Sequence, residues 1–353
     1  MRTYYVGMDV HRASIVMAVL NGAGKLVEQI ALQTNATAVR SYLQRLRGRV
    51  YVTFEEGTQA QWLYDVVRPL VTEVIVCDPR QNRLLATGNK SDQIDAQKLA
   101  QLLRNRALKR VDHVDHGVRE LKELVRTYDC LVQDTTRVMA RLKAIYRGRA
   151  IACAGHDIYR QDRRAVWLKK LKEPGAKKRA EFLYEQLAAL RPLRHQAKGL
   201  MVREARRHAG YRLLISIPRL GPISVAQLLA IVGTPHRFRS KRQFWRYVGL
   251  AVVTHSSADL EVVNGVLRRS RRPIATRGLD RNHNHVLKRV FKTAATSACH
   301  SEPLQAAYQA RVKKGMDPAL ARLAIARQLA SITLSLWKRG ELFATERMTQ
   351  LAA

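Results

Sequence analysis

The chain has 353 residues, of which 46% are apolar and 26% are charged, a composition typical of a folded globular protein. It carries 63 lysine and arginine residues against 28 aspartate and glutamate residues, a net charge of +35. Such a charge indicates a polyanionic partner and exceeds what an acidic small-molecule substrate would need. The sequence has no apolar run of 18 residues and no secretory signal pattern at its start, which predicts no membrane span and a cytoplasmic location.

The usual markers of metal-bound cysteines and of nucleotide-driven chemistry are absent from the sequence. The four cysteines are scattered and form no CxxC pair, so neither a zinc site nor a disulfide framework is predicted. There is no GxxxxGK[ST] phosphate loop and no GxGxxG motif. The polyanionic partner is therefore predicted to be nucleic acid, with chemistry that nucleotide hydrolysis does not drive.

The positive charge is concentrated in the later part of the chain. Residues 1–112 carry 16 basic and 10 acidic residues, a net of +6, whereas the remaining residues carry a net of +29. The acidic residues of the first part are candidates for chemistry, and the basic remainder is the candidate nucleic-acid surface. Charge and pattern together predict three parts: a domain with the acidic site at 1–112, a helical coiled-coil or linker region at 113–210, and a C-terminal domain at 211–353.

The first part alternates between short β-rich runs and helical patterns. TYYVGMDV, SIVMAVLNG and KLVEQIAL predict three strands joined by polar turns, including the Asn21-Gly22 pair that favours a hairpin. A helix over about 36–46 precedes a buried strand at RVYVTFEEG, a helix at TQAQWLYDVVRPL, a strand at EVIVCDP and an amphipathic helix at SDQIDAQKLAQLLRN. The order β-β-β-α-β-α-β-α predicts a mixed sheet with helices packed against it.

The rest of the chain has a helical pattern. Between 116 and 209, apolar residues recur at three- and four-residue spacing, and a break at Glu173-Pro174-Gly175 separates two long stretches, which predicts a helical hairpin or coiled coil. Residues 211–353 are predicted to be mostly helical. A turn at Pro218–Gly221 is typical of a helix-hairpin-helix that offers backbone N–H groups to phosphate, or of an ordinary core hairpin. Phe244 and Trp245 are predicted to pack in a core rather than to stack on a base.

Four carboxylates lie at the ends of predicted elements. Asp9 ends the first strand, Glu55 ends the fourth, and Asp92 and Asp95 share one face at the start of the last helix. If the first and fourth strands are neighbours, the four carboxylates converge, and converging carboxylates repel unless cations such as Mg²⁺ lie between them. Two ions about 4 Å apart can clamp both sides of a phosphodiester. Taken singly, Asp9 could cap a turn, Asp92 and Asp95 could favour the helix dipole, and Glu55 and Glu56 could be solvated turn residues.

These residues lie in a recognisable string. YYVGMDVH…VTFEEGTQAQWLY…IVCDPRQNRLLATGNKSDQIDAQKLAQLL resembles the RuvC-like, RNase H-fold domain of the DEDD transposases of the insertion-sequence 110/1111 family. That family has an Asp in the first strand, a Glu at a strand end and a Lys-Thr/Ser-Asp-x-x-Asp-Ala helix start, which correspond here to Asp9, Glu55, and Asp92 with Asp95. Glu56 stands where the family usually has a small residue and is the alternative to Glu55. The resemblance implies a two-metal Mg²⁺ site.

The C-terminal part resembles the second module of the same family, a helical turn followed by an F.s.rq…y.GL segment and a serine. Ser257 matches by register the serine that is the family's proposed nucleophile, which forms a covalent link to DNA, and Ser256 is the alternative. Ala258 stands where glycine is usual. The sequence fixes no base beside this serine, although His255 is close and the metal site could activate it.

An arginine-rich run follows the serine and is predicted to bind phosphate, since guanidinium groups pair with phosphate oxygens through two parallel hydrogen bonds. His283 and His285 are predicted to begin a helix or to contact phosphate, and not to bind zinc. The candidate nucleic-acid-binding residues are Arg268, Arg269, Arg271, Arg272, Arg277, Lys288 and Arg289.

These observations predict a DNA transposase or site-specific recombinase of an insertion sequence, with Mg²⁺-dependent strand cleavage and exchange and a serine nucleophile. The resemblance further implies a structured guide RNA that bridges donor and target DNA. The long helices predict a homo-oligomer, a dimer or a tetramer, because recombination must hold two duplexes together. The alternatives are a metal-dependent RuvC-like junction nuclease that uses water as nucleophile, a DNA-only invertase, and a non-catalytic nucleic-acid-binding protein.

Overall fold

The chain forms two compact units, Met1–Val114 and Asp115–Ala353. The first is built around a sheet, and the second is mostly helical, as predicted. The division into three parts at 112 and 210 stays a prediction. The computed structural model describes residues 2–79, 91–111, 116–255, 260–263, 266–269 and 275–344.

The first unit contains a five-stranded mixed sheet with the strand order β3-β2-β1-β4-β5. Strand β1 pairs antiparallel with β2, and β2 pairs antiparallel with β3. Strand β1 pairs parallel with β4, and β4 pairs parallel with β5, which confirms that the first and fourth strands are neighbours. The described elements of this unit, in chain order, are β1 (Thr3–Val10), β2 (Ser14–Asn21), β3 (Leu26–Gln33), α1 (Ala36–Arg45), β4 (Arg49–Glu55), α2 (Ala60–Val67), β5 (Glu73–Cys77) and α3 (Asp92–Arg104).

The two faces of the sheet are packed differently. Met8 of β1 and Phe54 of β4 are fully buried on one face, in a core that they share with α1 and α2. On the other face, a Cβ built on Gly7 would lie 2.1 Å from the carbonyl oxygen of Ala96 and 2.5 Å from the backbone nitrogen of Ala100. The backbone of α3 therefore lies directly on β1, and only glycine fits at position 7.

This close contact predicts the effect of a single methyl group. Gly7→Ala is expected to lower the free energy of unfolding of the first unit by about 2–3 kcal/mol, because the new Cβ overlaps the backbone of α3. Native-state hydrogen exchange at the β1 amides measures this change. Gly22→Ala is the matched control, since a Cβ there meets only Thr3 Cβ, at 3.9 Å. Equal protection of β1 in the wild type and in Gly7→Ala would contradict the packing argument.

The described part of the second unit contains helices and four short strands. The strands form two two-stranded sheets, β6 with β9 and β7 with β8, which the sequence analysis did not predict. The described elements are α4 (His116–Arg147), α5 (Arg164–Lys169), α6 (Pro174–Ala205), α7 (Gly210–Ile215), α8 (Pro222–Val232), α9 (Lys241–Tyr247), β6 (Val252–His255), β7 (Leu260–Val263), β8 (Val266–Arg269), β9 (Ala275–Leu279), α10 (His285–Ala298), α11 (Gln305–Lys313) and α12 (Pro318–Arg339).

The two longest helices form the predicted hairpin. Leu142, near the end of α4, and Leu183, in the first half of α6, belong to one buried core. Leu121 and Met201, at the opposite ends of the two helices, belong to another, so the helices are antiparallel. The connection between them is longer than predicted, because it spans 148–173 and includes α5. Pro174 marks only the start of α6, where its missing N–H leaves no hydrogen bond unmade.

The main core of the second unit involves α7, α8, α10 and α12. Phe244 is buried there, with ring centroids 5.0 Å from Phe238 and 5.8 Å from Phe291, and Trp245 Nε1 donates to the carbonyl oxygen of Arg327. The prediction that these two aromatics pack in a core is confirmed. The turn at Pro218–Gly221 joins α7 to α8, which is buried along most of its length, and phosphate contact by this turn stays a prediction.

Helix α12 is, among the described helices, the one long and apolar enough by composition to cross a membrane. Half of its apolar window is buried inside the second unit. Ile325, Leu329 and Leu336 belong to the main core of that unit. Packing in a protein core therefore accounts for the composition of this helix.

Candidate metal centre

Asp9 and Glu55 lie side by side at the ends of two parallel strands. Met8 pairs with Phe54 in the register of β1 and β4, so the residues that follow them, Asp9 and Glu55, occupy neighbouring positions. Met8 and Phe54 point into the core below α1 and α2. Because side chains alternate along a strand, Asp9 and Glu55 lie on the opposite face, the face that α3 covers.

The first turn of α3 carries the other two predicted carboxylates. Ser91 caps the helix, and its side chain accepts a hydrogen bond from the Ile94 amide. Asp92 and Asp95 follow in the first turn, where the helix dipole favours negative charge. The contact between α3 and Gly7 holds this turn near the end of β1.

The structure brings Asp9 and Asp92 together around His11, a residue to which the sequence analysis gave no role. His11 Nε2 lies 3.1 Å from Asp9 Oδ2 and 3.4 Å from Asp92 Oδ2. These three side chains each offer a ligand atom, and the atoms lie within 4.8 Å of one another. Among the described residues, Glu55 and Asp95 do not contribute to this group. The signal for His11 in the sequence is its position two residues after Asp9, in the turn that follows β1, and this position alone does not show that Asp92 lies beside it.

The surroundings of Asp9 oppose the ionisation of its carboxyl group, chiefly through burial. Its side chain is 25% exposed, and burial is the main cause that raises the pKa of its carboxyl group above the usual range. His11 lowers this pKa through its charge and its hydrogen bond, whereas the carboxylates of Asp92 and Asp95 raise it. Asp95 thus belongs to the same electrostatic site, although it is outside the group of possible ligands. A divalent cation would relieve the repulsion among these carboxylates.

An open cavity of about 580 Å³ lies beside these carboxylates. Asp9, His11 and Glu55 line it, together with Arg12 and residues 56–60 of the segment that leads into α2. The cavity places acidic groups and one arginine on a shared concave surface. A phosphodiester with its bound cations has the charge pattern that such a surface can accept.

The predicted serine and part of the arginine run lie outside the described residues. Ser256, Ser257, Arg271 and Arg272 are among these.

The rest of the arginine run has described backbone. Arg268 lies in β8 with an exposed side chain. Arg269 lies in β8 and Arg277 in β9, and their side chains lie outside the described part of the chain.

The two basic residues predicted on α10 have protein neighbours. Arg289 lies 3.5 Å from the carboxylate of Asp129, which also accepts a hydrogen bond from Gln227 Nε2 at 2.7 Å. Burial lowers the pKa of Lys288, and the charge of Lys292 lowers it further. Contact of Lys288 and Arg289 with nucleic acid stays a prediction.

The predicted helix start near the two histidines is confirmed. Helix α10 begins at His285, and Asn284 caps it by accepting a hydrogen bond from the Leu287 amide at 3.0 Å. His283 Nδ1 lies 2.6 Å from the carbonyl oxygen of Asp280. A Cβ on Gly249 would lie 2.5 Å from the His283 ring, so this histidine is packed against the backbone.

Two family models match the chain. Residues 6–148 match a model for DEDD transposases of the IS110 type, described as a transposase, and residues 211–309 match one described as a transposase of the IS116/IS110/IS902 family. The chain is 24% identical over 202 residues to the transposase for insertion sequence element IS1111A of Coxiella burnetii. This matched stretch covers 54% of this chain and 53% of that protein. The chain is also 30% identical over 112 residues to the transposase for insertion sequence element IS1533 of Leptospira borgpetersenii. This second stretch covers 30% of this chain and 32% of that protein. The matched part therefore spans about half of the first relative and a third of the second.

The family model over residues 6–148 assigns this part of the chain to the DEDD type of transposase domain, and the five-stranded mixed sheet is consistent with its RNase H-like fold. The matches on both units complete the assignment. The chain belongs to the IS110/IS1111 family of insertion-sequence transposases, which confirms the resemblance drawn from its motifs.

The raised pKa of Asp9 predicts opposite effects of Asp9→Asn with and without metal. In EDTA at pH 7 the variant is expected to melt at a higher temperature than the wild type, because it removes a partly buried charge. This advantage should shrink as the pH falls through the pKa of Asp9, since the wild type then loses the same charge. Mg²⁺ or Mn²⁺ should raise the melting temperature of the wild type, and the variant should lose that rise.

Thermal denaturation between pH 4 and pH 8, in EDTA and in each metal, measures both effects. Glu73→Gln is the control, because Glu73 pairs with Arg110 at 2.7 Å and is not part of the acidic cluster. A metal-free Asp9→Asn protein that is less stable than the wild type at pH 7, or one that keeps the full metal-induced rise, would contradict the account.

Proposed function

We propose that this protein is a DNA transposase in which Asp9, Glu55, Asp92 and Asp95 hold divalent ions, Mg²⁺ in the cell, and Ser257 is the nucleophile. The observation that supports this most strongly is the position of Asp9 and Asp92 around one point, at the end of β1 and the first turn of α3. The relatives named as transposases for insertion sequence elements support the same activity.

The residues of the site suit a hard divalent cation. Carboxylate oxygens are the ligands that Mg²⁺ prefers, and Asp9 and Glu55 are held on neighbouring strands of a rigid sheet. When bound, such ions supply charge neutralisation for the attacking and leaving oxygens of a phosphodiester. Asp92 is 57% exposed and can reach a ligand at the open side of the site, and Arg12 can contact phosphate in the cavity.

The serine would form a covalent bond to DNA. Its Oγ attacks the phosphorus atom, the Oγ–P bond forms, one P–O bond to a deoxyribose breaks, and the hydroxyl proton passes to a nearby base. The phosphoester keeps the energy of the broken bond, so a deoxyribose hydroxyl of another strand can reverse the step and join the strands. His255 is two residues from Ser257 in the sequence and is the candidate base. Ser256 is the alternative nucleophile.

The net charge of +29 on residues 113–353 supports binding of several nucleic-acid segments. Donor and target DNA are the proposed substrates, and a structured guide RNA is the proposed partner that pairs with both. A dimer or a tetramer would hold the two duplexes together. The charge alone suits a DNA-only reaction equally well, so the guide RNA rests on the family relationship.

Replacement of the serine tests this mechanism directly. Ser257→Ala is expected to abolish the covalent protein–DNA adduct and strand transfer, because it removes the attacking oxygen. The metal-induced rise in melting temperature should be unchanged, since the carboxylates remain. Denaturing gels of reactions with end-labelled DNA measure the adduct and the joined product. Ser256→Ala is the matched control and should keep both.

Other outcomes favour the alternatives. Normal recombination by Ser257→Ala with loss of activity in Ser256→Ala would move the nucleophile by one residue. DNA cleavage by both variants without an adduct would favour a junction nuclease that uses water. RNase treatment of the wild-type reaction tests the guide RNA. Strand transfer that survives the treatment would favour a DNA-only invertase, whereas a guided recombinase is expected to lose strand transfer.

A further inference from the structure

His11 lies beside the proposed metal site and is not one of its four carboxylates. It occupies the tight turn between β1 and β2, two residues after Asp9. Its amide donates to the Ser14 carbonyl oxygen at 2.9 Å, and its own carbonyl oxygen accepts from Thr34 Oγ1 at 2.9 Å. These two hydrogen bonds fix the backbone of His11 and thereby restrict the positions that its imidazole can reach.

We infer that His11 is a ligand of the divalent ion proposed for Asp9 and Asp92, so that two carboxylates and one imidazole bind this ion. The inference rests on the proposed function, because it concerns an ion of that same site. It adds a nitrogen ligand to a site that its family pattern describes by carboxylates alone.

The distances between the three side chains suit one shared ion. Ligand atoms about 2.1 Å from one metal lie about 3.0 Å apart at neighbouring corners of an octahedron and about 3.4 Å apart in a tetrahedron. His11 Nε2 lies 3.1 Å from Asp9 Oδ2 and 3.4 Å from Asp92 Oδ2, inside that span. All three ligand atoms lie within 4.8 Å of one another, so small side-chain rotations bring them to one ion.

Exposure of these side chains leaves room for the remaining ligands. His11 is 49% exposed and Asp92 57% exposed, whereas Asp9 is mostly covered. A cation with three protein ligands needs further oxygen ligands, and water or a phosphate oxygen can reach this side of the site. The same cavity that Glu55 lines is the entry path.

A nitrogen ligand changes which metal the site prefers. Imidazole suits transition metals, and affinity for an N/O site rises from Mn²⁺ along the first-row series, whereas Mg²⁺ prefers oxygen. His11→Gln removes the imidazole and keeps a polar side chain. We expect it to weaken Mn²⁺ binding by about tenfold or more and to weaken Mg²⁺ binding less, because even residues that only support metal ligands alter affinity by about this factor.

Pulsed electron paramagnetic resonance of the full-length protein with one equivalent of Mn²⁺ tests the inference directly. The wild type is expected to show electron spin-echo modulation from a directly coordinated ¹⁴N nucleus. In His11→Gln the Mn²⁺ should remain bound, in titrations that raise its concentration, with that modulation gone. His195→Gln is the control, because His195 is an exposed histidine of α6, and it should keep the modulation.

The remaining outcomes separate this inference from the function on which it rests. Bound Mn²⁺ without ¹⁴N modulation in the wild type overturns the role of His11 and leaves the carboxylate site intact. Modulation that persists in His11→Gln also overturns it, because the nitrogen then belongs to another residue. Failure of the wild type to bind Mn²⁺ or Mg²⁺ at a saturable site overturns the proposed metal site and the role of His11 with it.

Discussion

The contact between the backbone of α3 and β1 at Gly7 is the constraint on which the site depends. A sheet and a helix normally keep a layer of side chains between them, but here Ala96 and Ala100 approach a residue that has no side chain. Ala18 of β2 is also small and is buried with Ala96 of α3, so the close approach of helix and sheet extends to β2. The short distance between helix and sheet brings the first turn of α3 to the end of β1. A larger residue at position 7 would move α3 outward and separate Asp92 from Asp9.

Ionisation of Asp9 is unfavourable at this site in the absence of a cation. Burial and two neighbouring carboxylates raise the pKa of Asp9, and His11 only partly offsets them. Arrangements of this kind are common where function requires a local loss of stability. The acidic cluster and most of the positive charge lie in different parts of the chain. Residues 1–112 are nearly neutral and contain the acidic cluster, whereas the remaining residues carry a net charge of +29 and suit polyanions.

The elements of the first unit could be predicted from the sequence because local patterns mark them. Strands β1, β2 and β4 are apolar, β-branched runs bounded by polar turns, and Ser91 marks the start of α3. The contact of His11 with Asp9 and Asp92 could not be predicted, since it exists only because α3 places Asp92 beside the turn that contains His11. Strands β6–β9 could not be predicted, because each is only four or five residues long and no periodic pattern develops over so short a run. The 26-residue span from 148 to 173 was not recognised as a connection because α5 gives part of it a helical pattern.

A crystal structure of the full-length protein grown with Mn²⁺, with anomalous diffraction data collected at the manganese edge, tests the central claim most directly. We expect an anomalous peak within about 2.3 Å of both the Asp9 and the Asp92 carboxylates. We further expect that α3 keeps its contact with Gly7 and that Glu55 faces the same cavity. An anomalous peak elsewhere in the protein, with Asp9 and Asp92 bound to no ion at saturating Mn²⁺, would contradict the account.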